Sequence, residues 1–268
     1  MRRFVLFLKQ FKIDGIYHTG ALLSASAEEK PITAYEVNAG GTFNVLELAR
    51  RHSPRHLMIA STSSIYGANP HVPFRESDRA VHPVSLYAAT KMSTELIAHS
   101  YSHLFDIATT AFRFFTVYGP WGRPDMSPWL FSSAILEGRP IDVFNFGQMQ
   151  RDFTYVDDIA LGTLKVLDHV PTRTFEAITP RPDRSAAPFK VFNIGNHAPI
   201  QLMSFIEAIE QSVGREAIKN FMPMQDGDVP ATHADVEELA EWTGFRPAMP
   251  VPEGIQRFVA WYRDYYKV

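Results

Sequence analysis

Short apolar runs rich in Val, Ile, Phe and Thr alternate along this chain with longer segments in which apolar residues recur at helical spacing. The runs have the length of buried strands, and the longer segments have the length of helices. The predicted strands are residues 14–19, 56–62, 107–114 and 191–194. The predicted helices are residues 41–52, 85–104, 156–167, 202–213 and 251–266. Strands that alternate with helices favour an α/β fold around a parallel sheet.

The pattern becomes less regular after about Gly119, as expected where a smaller lobe is woven into a sheet domain. Residues 171–188 carry several Pro, Arg and Thr residues. Such a composition is typical of a connecting segment, so we expect a surface loop there.

The composition narrows the possible functions. The chain has 268 residues, of which 46% are hydrophobic and 21% charged, so it can bury a sizeable core. A net charge of -3 gives no basic surplus for neutralising phosphates, and we expect no nucleic-acid partner. The absence of cysteine excludes disulfides, thiolate metal sites and a cysteine nucleophile. The ten histidines are scattered without ligand spacing, and we expect no metal site.

The N-terminus has two arginines followed by an apolar run, which faintly resembles a secretory leader. Lys9 stops this run, and no small-residue cleavage site follows it. No apolar run approaches the ~20 residues that a transmembrane helix needs. We therefore expect a cytoplasmic protein that does not enter a membrane.

Two elements carry candidate chemistry. A hydroxyl-rich stretch, residues 61–67, includes Thr62 and directly follows the apolar strand residues 56–60, and Tyr87 and Lys91 lie near the start of the helix 85–104. The i,i+4 spacing places this tyrosine and lysine on one helical face. A phenol is a poor base at neutral pH, and a neighbouring ammonium would lower its pKa. A strand-end hydroxyl could orient the same substrate oxygen. Alone, Tyr-x-x-x-Lys occurs often by chance on ordinary helices.

The longer context resembles the extended short-chain dehydrogenases/reductases that act on nucleotide sugars, and most specifically the UDP-glucuronate 4-epimerases. The stretches that carry this resemblance are residues 61–67, 82–91, 113–126, 151–159, 192–196 and 227–235. The Trp-Gly-Arg-Pro-Asp-Met and Gly-Asp-Val-Pro-Ala-Thr segments within them are the most specific. The resemblance extends from about Arg55 to the C-terminus.

This resemblance implies roles for particular residues. Tyr87 would take the proton from the sugar 4-hydroxyl while NAD accepts the hydride from C4. Lys91 would lower the pKa of Tyr87 and hold the nicotinamide ribose, and Thr62 would share the hydrogen bond to the 4-oxygen. Ser61 would lie on the cofactor side of the site. Asn38 stands where the superfamily places a structural asparagine beside the cofactor.

The resemblance also implies contacts with the UDP-sugar. Thr116 and Arg123 are the candidates near the uronate carboxylate, and Ser63, close to Thr62, also belongs to the substrate-binding residues. Arg151 would bind the UDP phosphates, because a guanidinium fork matches phosphate geometry, and Asp228 belongs to the same substrate-binding set. A simpler interpretation pairs Arg151 with Asp152.

Other side chains in these stretches have structural interpretations. Asp157 and Asp158 are expected to cap the helix 156–167. Trp121 and Trp129 are expected in the core or in a pocket wall.

The resemblance further implies an incomplete Rossmann-type parallel sheet with a smaller C-terminal substrate-binding lobe. Residues 1–118 would form a partial NAD-binding domain that lacks the glycine-rich first βαβ unit. Residues 119–268 would form the lobe, with segments that return to the sheet. Gly15, Gly20, Gly40 and Gly41 make no dinucleotide-binding glycine pattern. A fragment, a misplaced start and a natural truncation all remain open. Intact relatives imply a homodimer through the helices 41–52 and 85–104.

Alternatives to the 4-epimerase remain. Residues 22–49 resemble the corresponding stretch of short-chain L-threonine 3-dehydrogenases, and the arginine usual in the loop after this strand is missing. Another UDP-sugar epimerase or dehydratase is a second alternative. Ser63 and Ser64 disfavour a 4,6-dehydratase, which would carry an Asp-Glu pair there. An inactive truncated remnant, prone to self-association through its exposed sheet edge, is the third.

Overall fold

The structure is a computed structural model that describes residues 10–11, 13–176, 178–225 and 228–268. The strands are β1 Gly15–His18, β2 His56–Thr62, β3 Thr109–Phe114, β4 Thr116–Tyr118, β5 Pro140–Val143, β6 Gln150–Arg151, β7 Phe153–Tyr155, β8 Phe189–Ile194, β9 Ile200–Gln201 and β10 Ile218–Phe221. The α-helices are α1 Ser24–Glu29, α2 Pro31–Tyr35, α3 Gly41–His52, α4 Leu86–Phe105, α5 Ser127–Glu137, α6 Val156–Leu167, α7 Leu202–Val213, α8 Glu237–Thr243 and α9 Val251–Tyr266. A π-helical turn, Glu36–Gly40, joins α2 to α3.

The four predicted strands form one parallel sheet in the order β1-β2-β3-β8. His18 is paired with Ile59, Thr62 with Phe114, and Phe114 with Ile194. Because all four strands run the same way, their carboxyl ends meet at one edge of the sheet. The predicted α/β class with a Rossmann-type parallel sheet is confirmed.

Alternating side chains of the strands fill two apolar layers. Leu57 and Ile59 of β2 pack with α3 and α4 on one face, whereas Met58 of the same strand packs with α6 and α8 on the other. Strands that are buried on both faces read as continuous apolar runs, which is why they are recognisable in the sequence. The helices α6 and α8 and the strand β8 all follow residue 118, so later segments do return to the sheet. The division of the chain at residue 118 stays a prediction.

Helix boundaries follow local chemistry. Ser85 lies before α4 in extended conformation, and its hydroxyl accepts a hydrogen bond from the Ala88 amide at 3.2 Å, so it is the N-cap. Gly138 and Gly214 end α5 and α7 in the left-handed conformation. The expectation that Asp158 caps α6 is wrong: its carboxylate accepts the amides of Ala248 and Met249, at 2.9 and 2.8 Å, and so ties down the segment before α9.

A separate apolar cluster forms the core of the C-terminal lobe, between α5, α7, α9 and the strands β4, β5 and β7. Trp129 packs against this cluster as expected. Trp121 does not, because its ring is 73% exposed and rests on Trp261 and Tyr265.

Part of the segment 171–188 departs from the predicted surface loop. Asp183 and Ala187 are buried. The Asp183 carboxylate pairs with Arg181 and with Lys190 of β8, and Glu238 of α8 completes this group. The ion pairs therefore hold the end of the loop against the sheet. Within the described ranges, no helix is both long and apolar enough to cross a bilayer.

A helical glycine of the lobe, Gly254, provides a test of the lobe packing, and Gly41 on α3 provides the comparison. A Cβ atom on Gly254 of α9 would overlap the Tyr118 hydroxyl and come within 3.0 Å of the Tyr155 ring. We expect Gly254→Ala to lower the free energy of unfolding by about 1–3 kcal/mol because of overpacking. Gly41 has helical φ and ψ of -62° and -46° with open space around it. Gly41→Ala should therefore raise the same free energy by about 0.5–1 kcal/mol. Urea titration of both variants measures this, and equal effects would contradict the packing described.

Candidate active site

The predicted catalytic residues lie close together at the carboxyl edge of the sheet. Thr62 is the last residue of β2, and Tyr87 and Lys91 lie in the first turns of α4, which packs across that strand. Thr62 Oγ1 donates to Ser64 Oγ at 3.1 Å and lies close enough to the Tyr87 phenol to lower the pKa of that phenol, and Lys91 Nζ donates to the Ala60 carbonyl at 2.7 Å. The structure therefore places this triad together, as the sequence predicts.

The electrostatics of Tyr87 differ from the expectation. Burial is the largest influence and raises the pKa of this phenol. The Thr62 hydroxyl and the positive charge of Arg123 act in the opposite direction and lower it. Arg123 is therefore the cation that favours the phenolate in this structure, where the sequence pointed to Lys91.

Lys91 is a buried ammonium whose Nζ has one hydrogen-bond acceptor among the residues that the structure describes. Its side chain lies almost entirely inside the protein, with the residue 3% exposed, and burial lowers its pKa to about 8. The charge of Glu95, one turn further along α4, works against this effect. A lysine ammonium has three N–H donors. One of them is bonded to Ala60, which leaves donors available for a bound molecule.

Two residues expected on the cofactor side have their polar groups occupied by the protein. Ser61 alternates with Thr62 along β2, and its hydroxyl donates to the Glu95 carboxylate. The buried Asn38 side chain bonds Leu22 in both directions, at 2.6 and 2.9 Å, and donates to the Thr90 hydroxyl at 2.9 Å. Asn38 therefore connects the segment after β1 to α4 through hydrogen bonds.

His18 belongs to this site and was missed as a site residue. It is the last residue of β1, directly beside β2, and its Nε2 lies 3.2 Å from the Thr42 hydroxyl. Burial lowers the pKa of His18, and the positive charge of Lys91 lowers it further. Its position at a strand end was a usable signal, because adjacent parallel strands place their last residues side by side.

The candidates for the uronate lie around the start of the C-terminal lobe. Ser63 follows Thr62 directly and is half-buried. Thr116 opens β4, and its amide donates to the Asp152 carbonyl at 3.2 Å. Arg123 forms a two-bonded ion pair with Asp125, at 2.9 and 2.5 Å. Its charge still reaches Tyr87, so the uronate candidates and the triad share one region.

Arg151, the residue expected to bind the phosphates, forms an ion pair with Asp228 and not with Asp152. Arg151 Nη2 donates to Asp228 Oδ1 at 2.6 Å, and its Nη1 donates to the carbonyls of Gln150 and Pro230. Asp152 instead accepts the amides of Asn196 and Ala234, so the pairing of Arg151 with Asp152 is wrong. Burial lowers the pKa of Arg151, and Asp228 opposes that effect.

Comparisons with known proteins agree with this geometry. The model of the NAD dependent epimerase/dehydratase family matches residues 2–178. A probable UDP-glucuronate 4-epimerase from Rhizobium meliloti (strain 1021) is 51% identical over 243 residues, which cover 89% of this chain and 71% of that protein. The protein CapI from Staphylococcus aureus is 50% identical over 241 residues, or 89% and 72% of the two chains.

The chain belongs to the NAD-dependent epimerase/dehydratase family. Among solved structures of the family, it resembles the UDP-glucuronic acid 4-epimerase from Bacillus cereus in complex with UDP-glucuronic acid and NAD, with a TM-score of 0.85 and 29% identity. That match covers 98% of this chain and 78% of the other. MoeE5, in complex with the same two molecules, gives a TM-score of 0.83 at 26% identity, with coverage of 97% and 82%. The predicted resemblance is confirmed.

The residues present fit one end of the family's cofactor. The unused donors of buried Lys91 suit the hydroxyls of the nicotinamide ribose. The pyrophosphate end of a dinucleotide needs a glycine-rich turn at a helix N-terminus. No glycine precedes Gly15 in the sequence, and the turn between β1 and α1 contains Gly20 alone. The described residues thus fit the nicotinamide end of NAD and contain no glycine-rich cradle for its pyrophosphate.

The burial of Lys91 generates a stability prediction. The folded pKa of about 8 lies below the ordinary value of 10.5, so between these values the unfolded chain binds more protons and stability rises with pH. Lys91→Met removes this dependence. We expect the free energy of unfolding of the wild type, minus that of the variant, to rise by about 3 kcal/mol over this interval.

Urea titrations across this pH range measure the difference. Lys267→Met, which removes an exposed ammonium, is the control for effects common to lysines. A difference between wild type and Lys91→Met that does not change with pH would contradict the burial of the Lys91 charge.

Proposed function

We propose that this chain is a nucleotide-sugar 4-epimerase that interconverts UDP-glucuronate and UDP-galacturonate with bound NAD. The observation that carries this proposal is the cluster of Thr62, Tyr87 and Lys91 at the carboxyl edge of the sheet. The family and the named relatives support the same reaction class. When bound, NAD would accept a hydride from the sugar C4 and later return it.

Tyr87 is the proposed acid and base at the sugar 4-oxygen. The Thr62 hydroxyl lies close enough to this phenol to lower its pKa, so both hydroxyl groups can meet one substrate oxygen. Tyr87 Oη would take the 4-hydroxyl proton and return it after the sugar has turned in the pocket. Thr62 would keep that oxygen in place in both directions.

Two cations would support the phenolate. Arg123 already lowers the pKa of Tyr87 in this structure, and Lys91 lies one helical turn away on the same face of α4. With its ammonium against the nicotinamide ribose, Lys91 would add a second positive charge near the Tyr87 phenolate. Low local polarity would strengthen both effects.

Arg151 and Asp228 are the proposed contacts for the UDP end. Arg151 points one guanidinium nitrogen at Asp228 and another at carbonyl oxygens, so its fork is held in a fixed orientation. A diphosphate offers charge-assisted bonds of the same kind. Ser63 and Thr116 would supply hydroxyl groups toward the uronate, and Arg123 would supply the charge.

The main test is turnover by the chain supplied with NAD. We expect UDP-glucuronate to give UDP-galacturonate, detected by anion-exchange chromatography, with no net NADH. Tyr87→Phe should lower kcat by roughly 100-fold or more, because the proton acceptor is lost. Tyr265→Phe changes an exposed tyrosine on α9 and is the matched control.

The alternatives give different results. Net NADH formation with L-threonine would establish the dehydrogenase that residues 22–49 suggest. Turnover of another UDP-sugar alone would move the assignment to another epimerase or a dehydratase. No turnover, together with no NAD in the denatured protein, would identify an inactive remnant.

We further propose a homodimer through α3 and α4. Several large apolar side chains on these helices are exposed, among them Phe43, Leu96 at 65% and Leu104 at 68%. Phe43 packs edge-on against Tyr101, which extends the apolar surface from one helix to the other. A cytoplasmic location and the lack of a nucleic-acid partner remain predictions from composition.

Surface substitutions distinguish this dimer from non-specific association. We expect the double variant Leu96→Glu, Leu104→Glu to sediment as a monomer, because the charges that it places on α4 of each copy would repel across the interface. Leu161→Glu, Leu164→Glu on α6 changes similarly exposed leucines on the other face of the sheet and should stay dimeric. Analytical ultracentrifugation measures both, and a monomeric wild type would contradict the proposal.

A further inference from the structure

The face of α4 that carries Tyr87 and Lys91 continues to a third residue, Glu95. The three side chains follow one another at intervals of four residues, so they lie in one row along the helix. Glu95 is almost fully buried. The proposed reaction assigns it no role, yet burying a carboxylate is costly unless charges and hydrogen bonds compensate.

The Glu95 carboxylate joins three elements of the sheet domain. The hydroxyl of Ser61 on β2 donates to Oε1. Arg113 on β3 donates from Nε to Oε1 at 3.2 Å and from Nη2 to Oε2 at 2.9 Å. Arg113 is itself buried and also donates to the Tyr66 hydroxyl at 3.0 Å. Both carboxylate oxygens of Glu95 are therefore directed toward β2 and β3 of the sheet.

The three residues of this row on α4 contact the last three residues of β2. Lys91 Nζ donates to the Ala60 carbonyl, the Ser61 hydroxyl donates to Glu95, and the Thr62 hydroxyl lies close enough to Tyr87 to lower the pKa of its phenol. Because strand residues alternate between faces, fixing Ser61 on one side also fixes Thr62 on the other. The contact at Ser61 thus determines where the Thr62 hydroxyl stands relative to Tyr87.

Glu95 also bears on the charge of Lys91. Its carboxylate favours the ammonium form and opposes the effect of burial. His18 is the other titratable neighbour, and its own pKa is lowered by the Lys91 charge. Arg113 partly neutralises Glu95 from the side of the sheet. Lys91 therefore lies between a carboxylate that favours its charge and an imidazole that, when protonated, opposes it.

We propose that Glu95 is a positioning residue of this site, which holds the Ser61–Thr62 strand end against α4 and places a carboxylate one helical turn from the Lys91 ammonium. The role at the reacting atoms rests on the proposed function, whereas the effect on Lys91 does not. The two effects can be separated, because one passes through the Ser61 hydroxyl and the other through charge.

The charge effect is tested without any activity. The difference in unfolding free energy between a protein and its Lys91→Met counterpart changes with pH from the folded pKa of Lys91 upward, which is about 8 in the wild type. In the Glu95→Gln background, we expect this change to begin roughly one pH unit lower, because an opposite charge is lost. Glu238→Gln removes another carboxylate bonded to an arginine and a lysine, and should leave the onset unchanged.

The positioning effect is tested by turnover. Glu95→Gln and Ser61→Ala should each lower kcat by roughly tenfold with little change in KM, since a small misplacement of Thr62 affects the reaction more than binding. Ser61→Ala should leave the Lys91 onset at its wild-type value. Glu95→Asp, which retains the charge, should restore that onset without restoring kcat.

Defined outcomes overturn the proposal. An unchanged Lys91 onset in Glu95→Gln refutes the charge effect, and a kcat within twofold of wild type in both Glu95→Gln and Ser61→Ala refutes the positioning effect. If Glu95→Gln does not fold, Glu95→Met takes its place in the test of the charge effect, because it also removes the carboxylate, and Ser61→Ala still decides the positioning effect. A shifted onset in a chain without any epimerase turnover would contradict the proposed function and support the charge effect of Glu95.

Discussion

The packing of α4 against the end of β2 is the contact on which the candidate site depends. Three residues of the helix meet three successive residues of the strand, through a hydroxyl, a carbonyl and another hydroxyl. β2 is held in turn by parallel pairing with β1 and β3. A displacement of either element would separate Thr62 from Tyr87, so the geometry of the site depends on the register of the sheet.

Burial has opposite consequences for the two central groups. It raises the pKa of Tyr87 and lowers that of Lys91, so it disfavours the charged form of each. The surrounding charges correct this, with Arg123 acting on the phenol and Glu95 on the ammonium. The ionisation of the site is therefore set together by Arg123 of the lobe and by Glu95 of α4.

Arg151 illustrates how the lobe contributes. Its partner Asp228 and the Pro230 carbonyl come from a segment that lies far along the chain, brought beside β6 by the bond from the Thr232 amide to the Gln150 carbonyl. Asp152, the next residue, faces the other way and binds the amides of Asn196 and Ala234. Two adjacent residues thus have separate contacts: Arg151, in β6, pairs with Asp228, and Asp152, between β6 and β7, binds two buried amides.

The sequence by itself determined the four strands of the main sheet, five of the helices and the common helical face of Tyr87 and Lys91, because apolar periodicity and i,i+4 spacing are local properties. It also placed Thr62 at the end of a strand, since the apolar run before it is unbroken. The tertiary structure alone decided which cation acts on Tyr87, which carboxylate Arg151 binds, and that Ser61 faces Glu95. Each of these depends on groups that are distant in sequence, and a charge or hydrogen-bond partner is chosen by spatial proximity after the chain has folded.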